Sequence, residues 1–316
     1  MDRRTFLSTS LGLAAASVLP ADMTGVSAAT LHALHARAQA LAAQQDHVPA
    51  TSTWAEAGSH LRDVAVVQSM APRHWQRSCH RTACLTALVM ADTARWMDHP
   101  SSDDALVVAE RHASAAADGP LLAQVLLLRA SAEGADARAV DAASTPATDL
   151  VIAALHAAGT GAPPWLRAWA RYTLAWQFAA SNDPRAALME LDAADFELGR
   201  ADRAADVIGG DEARTWGLSR RGAVLRRLGR HAEAASTLSG ALVGPPLRQT
   251  AVLTDLARLH RDAGDVDAAA AALEDAYLVA RRTALSYRVP TIHAIRATLP
   301  TTTSVTQLDE VMREGR

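Results

Sequence analysis

Residues 218–246, LSRRGAVLRRLGRHAEAASTLSGALVGPP, decide the fold. Apolar residues recur three and four apart on both sides of Gly229, which predicts two helices joined by a tight turn. Leu218, Gly222 and Leu225 lie on the first helix, Ala234, Leu238 and Ala241 on the second, and Pro246 closes the unit. The small residues fall where two helices would cross closely, because a larger side chain there would force them apart.

The pattern repeats. Around Gly264 the matching residues are Leu253, Ala257 and His260, then Ala269, Leu273 and Ala276; around Asn182 they are Leu174, Ala175 and Phe178, then Ala187, Leu191 and Ala194. The spacing is near the ~34 residues of the tetratricopeptide repeat. His260 stands at an aromatic core position of its unit and is expected to pack. Upstream the rhythm loosens, with a long helix over 80–96, a second over 104–113, and a pair over 121–132 and 135–143. Breaks fall at His99-Pro100-Ser101-Ser102, Asp118-Gly119-Pro120, 159–164, Gly209-Gly210 and Pro290. No segment alternates in the manner of a strand. The expectation is an all-α chain, a tetratricopeptide-like α-solenoid of helical hairpins with a concave groove lined by the first helices. Its parts are an N-terminal segment 1–28, divergent hairpins 29–160, tetratricopeptide repeats 161–284 and capping helices 285–316, with 199–215 an extended loop.

Composition agrees. The chain has 316 residues, 49% hydrophobic and 21% charged, with only 4% aromatics and alanine above a fifth, so local propensity favours helix. All 31 basic residues are arginine, yet the net charge is -3, which supplies no global basic field for nucleic acid. Direct DNA or RNA binding is not expected.

The N-terminus supports two readings. Asp2-Arg3-Arg4-Thr5-Phe6-Leu7, the apolar stretch 11–19 and Val26-Ser27-Ala28-Ala29 fit a twin-arginine export signal cleaved after Ala28. The same residues fit an amphipathic first helix packed on the next. The stretch is too short to span a membrane, which takes about 20 apolar residues. Cys79 and Cys84, five apart, face different directions on a helix and read as small buried hydrophobes. Neither they nor His80 have zinc-site spacing.

Gly229 to Ala235, Ala263 to Ala269 and the Arg-Val-Pro-Thr-Ile stretch 288–292 resemble the C-terminal tetratricopeptide portion of actinobacterial helix-turn-helix regulators of the Xre type. Arg3-Arg4-Thr5-Phe6-Leu7 is similar to a stretch that stands in that group between the DNA-binding domain and the repeats. The resemblance covers nearly the whole chain on loose motifs. The chain starts at that stretch, so DNA binding does not carry over. What the resemblance implies is a cytoplasmic signal-sensing or partner-binding module, and it favours the packed first helix over export.

Catalytic and cofactor motifs are absent: there is no nucleophile elbow, phosphate loop, zinc-protease histidine pair or calcium loop. The expectation is therefore a non-enzymatic module without cofactor or metal. Repeat geometry maps the groove onto Tyr172 and Trp176, then Trp216, Arg226 and Arg227, then Arg258 and Arg261. A planar guanidinium donates two parallel bonds to a carboxylate, and an aromatic ledge adds apolar area. The expected partner is a protein or peptide, acidic or carboxylate-ending, with a second copy of the chain as a further option. Arg226 and Arg227 equally suit solvated charges at a helix C-terminus, and Trp176 equally suits the core. Two rival readings are an exported extracytoplasmic scaffold and an enzyme with an unrecognised site on the same helices.

Overall fold

The computed structural model describes residues 26–45, 48, 50–97, 99, 101–133, 142–200, 210–243, 246–282 and 288–314, with only the backbone at 96, 210–214 and 246–248. The protein is all-α. Among the described residues there are fourteen helices and no strand: α1 Ala28–Gln44, α2 Ala50–Met70, α3 Arg73–Trp96, α4 Ser102–Ala115, α5 Gly119–Glu133, α6 Thr145–Ala158, α7 Pro164–Ala180, α8 Pro184–Gly199, α9 Gly210–Arg227, α10 His231–Gly240, α11 Pro246–Asp262, α12 Val266–Arg282, α13 Val289–Arg296 and α14 Thr303–Glu314. The export-or-helix segment 1–25 lies outside the described residues.

Helices pack in sequence order. The closest partners are α2 with α3, α3 with α4, α5 with α6, α7 with α8, α9 with α10 and α11 with α12. First helices also touch their successors, so that α3, α5, α7, α9, α11 and α13 form one continuous row. Each second helix meets the first helix of the following pair.

The turns explain this regularity. Asn182, Gly229 and Gly264 have φ of 61°, 72° and 79°, the left-handed conformation that ends a helix. At each, the next residue's N–H reaches back five positions: Asp183 to Phe178, Arg230 to Leu225 and Asp265 to His260, at 2.8–2.9 Å. The left-handed residue itself donates three positions back, completing a Schellman pair of bonds. A fourth copy joins α4 to α5, where Ala117 has φ 48° and Asp118 N–H donates to the Ala113 carbonyl. Asp118, Asp183 and Asp265 then accept from Leu121, Ala186 and Ala268 N–H as N-caps of the following helix. One short motif thus stops one helix and starts the next in the reverse sense.

Packing follows the small-residue order. Ala187, Leu191 and Ala194, Ala234, Leu238 and Ala241, and Ala269, Leu273 and Ala276 are all fully buried. Ala147, Val151 and Ala154 of α6 share the same four-then-three spacing and burial. A main apolar cluster runs from Ala168 through Met312, and a second joins α5 and α6 to Trp165, Leu166 and Leu174 of α7 across the 159–164 break. His260 is only half-buried. Cys79 and Cys84 are free and buried, and burial pushes the Cys84 thiol up to about 12.

Two expectations are corrected. The partner of α5 is α6 at Thr145–Ala158; of the expected helix 135–143, residues 135–141 lie outside the described residues and 142–144 are not helical. The expected loop 199–215 overlaps a helix, since α9 begins at Gly210. The C-terminal segment holds α13 and α14, and Tyr277 of α12 donates to the Met312 carbonyl.

Candidate functional site

The candidate face is the row of first helices α7, α9 and α11. Tyr172 lies in the core rather than on that face, only 2% exposed. Its hydroxyl donates to Asp195 of α8, and Arg221 of α9 pairs with the same carboxylate. Burial, and then the Asp195 hydrogen bond, push its phenol well above the usual range. Trp216 packs edge-on against it, with ring centroids 5.5 Å apart, and the Arg220 guanidinium lies 5.6 Å from the Trp216 ring. Gly217 permits this approach: a Cβ there would overlap Cδ2 of Leu198 on α8 and lie 3.1 Å from the Tyr172 hydroxyl, so the missing side chain lets α9 settle against α8 and the ring. Trp216 is half-buried as a wedge between hairpins.

Arg226 is also interior, its side chain 2% exposed. It reaches across to α11, where Nη1 donates to Asp262 at 2.7 Å. Arg261 holds the other oxygen of Asp262, donating through Nε and Nη2 at 2.9 and 2.6 Å. One carboxylate therefore ties two guanidinium groups from adjacent first helices. Arg258 pairs with Asp255 one turn earlier on α11, at 3.1 Å. Arg227 differs from these: it is half-buried, its Nε is enclosed, and it has no hydrogen-bond or ion-pair partner among the described residues. Trp176 is half-buried at the edge of the main cluster.

Of the seven mapped residues, Trp176, Trp216, Arg227, Arg258 and Arg261 thus remain partly accessible on the first helices. Tyr172 and Arg226 are structural. The mapping missed Asp195, Asp255 and Asp262. The only available signal was their spacing, Asp255 three before Arg258 and Asp262 following Arg261, which permits local pairing on a helix. Within the α7–α8 hairpin, Arg167 pairs with Glu197 and Arg171 with Glu190, at 2.8 and 2.9 Å. Arg167 holds the Glu197 carboxyl below its ordinary range.

This face presents guanidinium groups paired with partly exposed carboxylates, the Arg227 guanidinium and an indole edge. Among the described residues no three His, Cys, Asp or Glu side chains are grouped to hold a metal, and no helix is long and apolar enough to cross a membrane. Comparison of the chain with protein-family models, curated proteins and solved structures found no match in any of the three.

Proposed function

We propose that the chain is a non-enzymatic tetratricopeptide-type binding module, a solenoid of hairpins whose concave face of first helices takes a protein or peptide segment with an acidic side chain or a terminal carboxylate, in a regulatory or signal-sensing role in the cytoplasm. The observation that carries this reading is Arg227, a half-buried guanidinium without a partner, on a row where the neighbouring arginines are each matched to a carboxylate. A partly enclosed cation favours an anionic ligand, because the low local dielectric strengthens a paired charge more than water does. Asp255 and Asp262 are intramolecular stand-ins for that ligand. An incoming carboxylate would compete with them for Arg258 and Arg261, making recognition an exchange of carboxylates rather than the filling of an empty site.

The test is selection from random peptides with free C-termini, followed by titration of the selected peptide. Enrichment of acidic or carboxylate-ending sequences is expected. Arg227→Ala and Trp176→Ala should each weaken binding by more than about 1 kcal/mol, a several-fold rise in Kd. Asp255→Asn, which frees Arg258, should tighten it. Selection of basic or purely apolar sequences, with affinity unmoved by Arg227→Ala, would refute the reading.

A further inference from the structure

Away from the first-helix row of α7, α9 and α11, two histidines from different helices meet. His80 of α3 and His112 of α4 place their Nδ1 atoms 2.8 Å apart, with ring centroids at 5.1 Å. That separation is what two nitrogens pointing at one another require. Rings converging on a shared metal would bring their centroids closer at the same nitrogen spacing, so the contact is an N–H···N hydrogen bond. Such a bond holds one proton between two nitrogens and has no place for a second.

We propose that His80 and His112 form a one-proton latch across the α3–α4 hairpin, closed when the pair carries no charge or one, and opened when both rings are protonated. In the doubly charged state two N–H donors face each other and the hydrogen bond is lost. Like charges at hydrogen-bond distance add repulsion in a half-buried setting.

The surroundings offer the dication little relief. From α2, Gln68 sets its side-chain amide 3.3 Å from both His80 nitrogens, an uncharged neighbour. From α3, Arg77 lies a turn before His80 and Arg81 directly after it, and the Cys84 thiol is one turn on and protonated. From α4 come Arg111 and Glu110, the latter held by Arg129 of α5 at 2.6 Å. Asp118, ahead of α5, is taken by Arg81 at 2.8 Å. From α1, His35 bonds to Thr82 of α3 and adds no anion. Burial, then His80, then Arg111 hold the His112 ring down at about 4.

The direction with pH follows. The folded chain keeps His112 neutral where the unfolded chain, with an ordinary histidine value of 6.5, binds a proton. The stabilisation is therefore complete above pH about 6.5 and lost as the medium falls toward pH about 4. Burial also lowers His35 and His60, so bulk acid sensitivity alone does not isolate the latch.

The experiment is an NMR titration of the histidine ring protons in the full chain, with amide exchange of α3 and α4 followed over the same range. The expected result is two coupled steps for His80 and His112, the second well below ordinary, with faster exchange in α3 and α4 as that step is crossed. His112→Gln, which can still donate an amide N–H to His80, should collapse the titration to one ordinary step and remove the pH-dependent opening. His35→Gln should leave both steps in place. Independent ordinary titration of both rings in the parent chain, or opening that persists unchanged in His112→Gln, would overturn the latch.

Discussion

Replacing Gly222 with alanine is expected to destabilise the chain by about 2 kcal/mol, although alanine is the better helix former by ~1 kcal/mol. A Cβ at that position would lie 2.5 and 2.6 Å from Cγ and Cδ2 of Leu238, and Leu238 is fully buried with nowhere to withdraw. The α9–α10 crossing is therefore set by the absence of a side chain. Leu238→Ala alone should cost about 3 kcal/mol through lost burial and the cavity left behind. The double variant should cost clearly less than the sum, by ~1 kcal/mol or more, because the new methyl enters the space the leucine vacates. Urea midpoints of the four proteins measure this cycle. A neutral Gly222→Ala, or strict additivity, would mean that the two helices do not meet through these residues.

The second large effect concerns the bridge between α9 and α11. Asp262→Ala should cost about 3 kcal/mol, because it deprives a guanidinium whose side chain is 2% exposed of its Asp262 carboxylate. Arg226→Met should cost only about 1 kcal/mol, since the aspartate left behind is a quarter exposed and still held by Arg261. The asymmetry is the informative quantity. It follows from burial of one partner and exposure of the other, and comparable losses in the two variants, read as denaturation midpoints, would show that Arg226 is not interior. Because the bridge joins neighbouring hairpins, Asp262→Ala should also reduce cooperativity, lowering the slope of the urea transition.

How much of this was legible in the sequence differs with the range of the contact. Asn182, Gly229 and Gly264 were readable as equivalent turns because a left-handed helix stop has a strong residue preference, and all three adopt it. Ala187, Leu191 and Ala194 and their two later counterparts were readable because a helix against its own hairpin partner obeys a simple period. The fourth turn was legible as the break Asp118-Gly119-Pro120 but not as a copy of the others, because Ala117 has no excuse in composition for a positive φ. Tyr172 and Arg226 were misread for a different reason. A first helix packs against its own partner, its predecessor and its successor, so its buried arc is wider than a single hairpin implies. Which residue faces the next hairpin depends on where that hairpin sits, and Gly217, which decides it for Tyr172, lies 45 positions further on. The His80–His112 contact across 32 positions was invisible for the same reason.

The central claim is that the row of first helices is the binding surface, and hydrogen exchange of the full chain with and without a selected acidic peptide tests it most directly. The account predicts slowed exchange in α7, α9 and α11 near Trp176, Arg227 and Arg258, with α8, α10 and α12 unchanged. Protection confined to the second helices, or to α13 and α14, would contradict it.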